Sequence, residues 1–239
     1  MNDILKNILR SVQNNQKLLA ILLDPDKIDL QQIDLVIEQI IKSPATHLFI
    51  GGSIVSNQIL NDLVLILKKN VTIPVVLFPG DSSQISAFAD GILFLNLISG
   101  RNPKYLVEQQ VSAVPFLNNT TLEVIPTAYL LIDGGSPSSV SRVSETLPMC
   151  SANVDFIVQT AQAGVFMGNK LIYLEAGSGS KQPIPAKIIA EVSKNISIPL
   201  IVGGGIRSAQ QIADAYGAGA NLVVIGTAFE NDISFFDTF

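Results

Sequence analysis

A closed (β/α)8 barrel, the TIM-barrel member of the α/β class, is the fold this sequence predicts, and three observations predict it. Eight short runs rich in branched apolar residues recur along the chain, apolar on both alternating faces, as strands of a helix-covered parallel sheet must be. Stretches with helical apolar spacing separate most of them. The length, 239 residues, suits one barrel, and no low-complexity linker divides it, so residues 1–239 are read as a single domain.

The first run, LLAILLD at 18–24, follows an opening segment in which Ile4, Leu5, Ile8, Leu9 and Val12 recur at helical intervals. Charges interrupt that segment and it has no small-residue cleavage site, so it is not read as a signal peptide. A helix over 30–42 leads to HLFIG at 47–51, and one over 55–69 leads to IPVVLF at 73–78. No helix is read before GILFLN at 91–96, whereas one over 102–112 precedes LEVIP at 122–126. The stretch 127–150 carries Gly, Ser and Pro clusters and reads as the longest loop, a lid or an insertion. Helices over 151–167, 185–195 and 208–217 then alternate with LIYLE at 171–175, IPLIVG at 198–203 and NLVVIG at 221–226.

Composition narrows the function classes. Apolar residues make up 48% and charged residues 15%, enough apolar material for a large core. Net charge is -5, and the 15 Lys and Arg form no basic block, which argues against general nucleic-acid binding because counterion release needs clustered cations. Cys150 is the single cysteine, so no intrachain disulfide or multi-cysteine metal site can form, and a reducing, cytoplasmic setting is expected. The apolar runs, GILFLNLI among the longest, fall well short of the roughly 18 residues a membrane span needs.

The C-terminal segment IVGGGIRSAQQIADAYGAGANLVVIGTAFE places three glycines directly after one strand and Gly226 and Thr227 after the next. In barrels the loops after strands seven and eight commonly hold a phosphate, because glycine lets backbone N–H groups come close to the oxygens. Bare turn chemistry is the alternative. A dinucleotide fingerprint fits less well, since GGGIRS lacks the third glycine of that motif.

Residues just past the C-terminal ends of barrel strands face the active site. Here these are Asp24 to Asp26, Gly51 to Ser53, Pro79 and Gly80, Glu175 to Gly179, Gly203 to Gly205, and Gly226 with Thr227. The sole histidine, His47, lies at the opposite end of its strand and is expected to be structural, which disfavours histidine acid/base catalysis and a Ser-His-Asp triad. Asp24 either binds a cation or caps the turn before Pro25. Oxygen ligands without His or Cys suit Mg2+, and Ser53 would offer a second oxygen. Glu175, beside the small-residue loop AGSGS, is either a proton acceptor for a ligand hydroxyl or the partner of Lys170, Lys181 or Arg207 in an ion pair.

At these residues the sequence resembles the geranylgeranylglyceryl phosphate synthase family. The matching segments LLDPDK, LFIGGS, LFPG, ADGILFLNLISGRNPKYLVEQQV, LEVIPTAYLLIDGG, LIYLEAGSGS, PLIVGGGIRS and VVIGTAFE cover nearly the whole chain in order. Leu22 stands two before Asp24, where the sister family with a longer heptaprenyl donor is associated with a lysine just before the aspartate. The likeness is therefore to the archaeal-type branch that also occurs in some bacteria. Two features depart from the family pattern: Ala128 stands where Gly is expected, and LPMCSANVDF is less basic than expected.

The resemblance implies transfer of a prenyl group from geranylgeranyl diphosphate to the 3-hydroxyl of sn-glycerol 1-phosphate, in the biosynthesis of ether phospholipids. It implies Mg2+ on Asp24 and Ser53, and glycerol phosphate binding by Tyr173, Leu174, Glu175, Ala176, Gly177, Ser178, Gly179, Gly203, Gly204, Gly226 and Thr227. Glu175 would be the catalytic base, with Tyr173 orienting the substrate or stabilising a cation. Burying a twenty-carbon tail releases a gross ~16 kcal/mol at ~0.8 kcal/mol per carbon, so an apolar groove suffices to hold the donor without a membrane helix. Transient membrane contact for the lipid product and a homo-oligomer are further expectations. The rival readings are a phosphosugar isomerase or lyase on the same kind of barrel, and a non-catalytic phosphate-binding barrel.

Overall fold

The computed structural model describes residues 3–52 and 56–237. Eight strands close a parallel barrel in chain order: β1 (Leu18–Leu23), β2 (His47–Ile50), β3 (Val75–Leu77), β4 (Gly91–Asn96), β5 (Glu123–Leu131), β6 (Leu171–Glu175), β7 (Leu200–Gly203) and β8 (Leu222–Ile225). Closure comes from β8 pairing back onto β1, with Ala20 opposite Val224. All eight sequence runs become strands. The difference lies in β5, which continues through Thr127 to Leu131, so the irregular stretch expected from 127 begins after Leu131. Threonine, tyrosine and leucine there have strand propensity that the following Gly and Ser clusters mask.

Strand alternation divides the core in two. One alternating set, with Ile21, Leu48, Leu130, Leu174 and Val202, packs outward against the helices. Ala20, Phe49, Leu93, Tyr129, Tyr173 and Ile201 fill the barrel interior. The same parity carries Asp24, Glu175, Gly203 and Gly226 toward the axis, which is why a carboxylate ends up there.

Nine α-helices are described. The first, α1 (Ile4–Gln13), lies against the barrel bottom: Ile4 and Ile8 join the interior cluster. Glu123, at the start of β5, caps it from 119 residues away, its two oxygens accepting from the N–H groups of Ile4 at 2.6 Å and of Leu5 at 2.9 Å. Around the barrel run α2 (Ile33–Lys42), α3 (Asn57–Asn70), α4 (Gln109–Leu117), α6 (Val154–Phe166), α7 (Ala186–Asn195) and α8 (Ala209–Gly217), close to the expected stretches except for α4, which runs to Leu117 where the sequence reading stopped at 112. The short α5 (Ser139–Ser144) lies in the β5 to α6 connection, and the short α9 (Thr227–Asn231) follows β8. A π-helical turn, Lys104–Glu108, leads into α4. Among the described residues no helix separates β3 from β4, and none is long and apolar enough to cross a membrane.

Ala128 faces α6, where a Cβ on Gly164 would lie 2.7 Å from the Ala128 Cβ. The Ala128 methyl, where glycine was expected, is thus accommodated by a glycine on the facing helix. His47 is buried at the N-terminal end of β2, with Nδ1 2.8 Å from the Thr46 hydroxyl, and burial pushes its pKa down to about 4. A neutral imidazole at the barrel bottom, away from the strand C-termini, agrees with a structural residue.

Candidate active site

Glu175 ends β6 inside the barrel mouth and is 6% exposed. Its Oε1 accepts a 2.6 Å hydrogen bond from the N–H of Gly177. Burial pushes its pKa up to about 7, against the opposing pull of that N–H and of the Tyr173 hydroxyl. Tyr173 Oη acts on the carboxylate electrostatically but completes no hydrogen bond among the described residues. No ion pair joins Glu175 to Lys170, Lys181 or Arg207 among the described residues. The arrangement is that of a proton acceptor poised near neutrality, with a phenol free to meet a ligand.

Aromatic rings pave the mouth beneath it. The Tyr129 and Tyr173 centroids are 5.2 Å apart, and Phe78 lies 5.4 Å from Tyr173 and 5.9 Å from Tyr129. Both phenols are held well above the ordinary tyrosine pKa, by burial first and by the Glu175 charge second, so they stay protonated donors. Sequence reasoning did not single out Tyr129 because it ended β5 too early.

The glycine loops wrap around this carboxylate. A Cβ on Gly203 would lie 2.4 Å from Tyr173 Oη, and one on Gly204, at φ +83, would lie 2.4 Å from Glu175 Oε1. So these glycines serve first to let β7 pass close to Glu175, a reason the sequence did not disclose. The anion-binding expectation has its own support. Among the described residues the N–H groups of Ser178, Gly179, Gly204 and Gly205 make no hydrogen bond, and all four residues line the cavity. Gly177, Gly226 and Thr227 line it as well. Leu174 and Ala176 do not: their side chains pack in the layer between barrel and helices, and the Ala176 N–H already donates to the Gly203 carbonyl at 3.0 Å. Arg207 ties the two loops together, donating to the carbonyls of Ser180, Lys181 and Gly205.

Asp24 lies on the other lip. Both readings of it hold locally: Oδ1 accepts from the Asp26 N–H at 3.3 Å, as a turn cap does, while the carboxylate also lines the cavity. A Cβ on Gly52 would be 2.3 Å from Oδ1, so the chain leaves room for the carboxylate at that point. Ser53, the second expected metal ligand, lies outside the described residues. Two further residues gather here that sequence reasoning missed. Lys27 Nζ is 3.3 Å from Asp24 Oδ2 and 2.9 Å from Glu230 Oε2, and Glu230 Oε1 accepts from the Asp24 N–H at 3.1 Å. Burial works to lower the Lys27 pKa, but the Glu230 and Asp24 carboxylates outweigh it and raise the value above that of an ordinary lysine. Among the described residues no group of three or more His, Cys, Asp and Glu is placed to hold a metal, so a cation here would have few protein ligands.

The cavity, about 410 Å3, joins these two lips and reaches further. Its lining takes in both faces of β4: Leu93 and Leu95 on the inside, Ile92 and Phe94 on the outside, together with Ile85 and with Ala113 of α4. The absence of a helix between β3 and β4 leaves this apolar groove open from the mouth to the barrel's flank.

Residues 11–239 match the PcrB family. A geranylgeranylglyceryl phosphate synthase of Flavobacterium johnsoniae is 56% identical over 238 residues, covering 100% of this chain and 98% of that protein. A synthase of the same name from Korarchaeum cryptofilum is 36% identical over 213 residues, covering 89% of this chain and 87% of that one. Among solved structures, (S)-3-O-geranylgeranylglyceryl phosphate synthase from Thermoplasma acidophilum, in complex with substrate sn-glycerol-1-phosphate, superposes with a TM-score of 0.93 at 30% identity, covering 99% of this chain and 95% of that one. By sequence along nearly its full length and by its barrel, this chain belongs to the PcrB family.

Proposed function

We propose that this protein is a prenyltransferase that moves a geranylgeranyl group from geranylgeranyl diphosphate to the 3-hydroxyl of sn-glycerol 1-phosphate, giving 3-O-geranylgeranylglyceryl phosphate and diphosphate. The observation that carries the reading is one cavity with three parts. A buried carboxylate with its pKa near 7 stands beside a loop of unpaired amides, and an apolar groove leads away from both. The names of the relatives and the ligand of the Thermoplasma acidophilum enzyme support it.

The amides of Ser178, Gly179, Gly204 and Gly205 hold the phosphate of glycerol phosphate, which brings its hydroxyl to Glu175. As the carbon–oxygen bond of the donor breaks, its electron pair leaves with the diphosphate. The hydroxyl oxygen bonds to the allylic carbon and its proton passes to Glu175. The rings of Tyr173, Tyr129 and Phe78 face positive charge developing on that carbon, and they exclude water that would otherwise capture it. The tail lies in the groove past β4.

Asp24, with its carboxylate in space that Gly52 leaves open, fits Mg2+, which binds through one or two protein oxygens plus substrate phosphates. When bound, that ion supplies countercharge for the departing diphosphate. Incubation of purified protein and Mg2+ with radiolabelled sn-glycerol 1-phosphate and geranylgeranyl diphosphate tests the reading. Organic-extractable label is the expected result, and its absence would end the proposal.

A further inference from the structure

Two cationic side chains line the cavity among the described residues, and they stand on opposite lips. Arg207 is turned onto loop carbonyls on the glycine side. Lys27, in the turn after β1, is 47% exposed, whereas Glu230, the carboxylate it contacts at 2.9 Å, is 8% exposed. Glu230 therefore acts as a buried anchor and the ammonium faces the mouth. The same anchor carboxylate takes the Asp24 N–H, which fixes Lys27 and Asp24 relative to each other. The reaction proposed above brings two anions here. The loop amides meet the monophosphate, and the diphosphate needs positive charge on the lip that holds Asp24.

We infer that Lys27 binds the diphosphate of the prenyl donor and holds it as it leaves, with Glu230 as the positioning residue that keeps the ammonium at the cavity mouth. This rests on the proposed transfer reaction. An ammonium is a point charge with three rotatable donors, suited to following a group that moves away. The contact to Asp24 is the longer of the two at 3.3 Å, so Lys27 can exchange it for a diphosphate oxygen without leaving Glu230. A lysine that merely clamped the β1 turn to α9 would contribute to stability and would not distinguish one substrate from the other.

The experiment compares the wild type with Lys27→Met, Lys27→Arg and Glu230→Gln. Calorimetry measures inorganic pyrophosphate binding in the presence of Mg2+, steady-state kinetics give KM for donor and acceptor separately, and thermal melting checks folding. Lys27→Met is expected to weaken pyrophosphate binding and raise the donor KM by about tenfold or more, with the glycerol phosphate KM within about twofold. Lys27→Arg is expected to keep most of both, and Glu230→Gln to fall between. Unchanged pyrophosphate affinity in a folded Lys27→Met protein overturns the inference, as does an equal loss for both substrates. If the wild type transfers no prenyl group, the reaction itself is wrong and the inference falls with it. If it transfers and only the Lys27 effect is missing, this inference alone is wrong.

Discussion

Glu175 Oε1 sits 2.6 Å from the backbone nitrogen of Gly177, two residues further along the chain. A strand-end carboxylate folded back onto the loop it introduces is fixed in orientation without a cationic partner among the described residues, and burial raises its pKa.

Activity should therefore follow the ionisation of Glu175. With kcat/KM measured across pH 5 to 9, the expected profile rises through about 7 as the carboxylate loses its proton. Glu175→Gln should cost about two to four decades in kcat and flatten that limb. A loss under about threefold with the limb unchanged would remove Glu175 from the role of base.

The same group links stability to pH. Its folded pKa, about 7, exceeds the ordinary 4.5, so the folded state holds the proton more tightly and stability declines as pH rises from 4.5 to 7. The decline attributable to this residue is on the order of 3 kcal/mol. Glu175→Gln should lose that slope and unfold at higher denaturant than the wild type at pH 8.

Gly204→Ala places a methyl 2.4 Å from Glu175 Oε1, at a backbone φ of +83 that disfavours any side chain. Binding and turnover should both suffer, with the glycerol phosphate KM raised and kcat lowered by about tenfold each. Gly217→Ala, where a Cβ meets nothing within 4 Å, is the control and should leave both constants unchanged.

Gly164→Ala should destabilise the protein by about 1–3 kcal/mol, because the new methyl overlaps that of Ala128. Adding Ala128→Gly should restore much of the loss. Unfolding measured around the four-protein cycle gives the coupling, and strict additivity would mean that the two methyls never meet.

Chelation with EDTA should abolish prenyl transfer, and added Mg2+ should restore it, while the melting temperature stays within a few degrees because strand pairing and the apolar core hold the barrel together. Full activity in excess chelator would separate Asp24 from any metal role.

Much of this was legible in the sequence, because strands buried on both faces leave uninterrupted apolar runs and the chain order of a barrel is its spatial order. The eight runs, the helices between them and the strand-end positions of Asp24 and Glu175 all followed from that. The end of β5 did not, since the local signals of Thr127 to Leu131 are outweighed by the glycines and serines beyond, and with it went Tyr129. Nor did the purpose of the glycines at 203 and 204. A glycine announces that something comes close, and only the fold shows that here it is Tyr173 and Glu175 as well as any anion.

The sequence by itself determined the barrel, its closure in order and the places of Asp24 and Glu175 at its mouth, for these depend on local periodicity. Tertiary structure decided what those carboxylates experience. Lys27 meets Glu230 from 203 positions away, and Glu175 reaches a near-neutral pKa because neighbouring strands exclude water from it. Electric fields and desolvation depend on distance in space, which the chain sets only once it has closed.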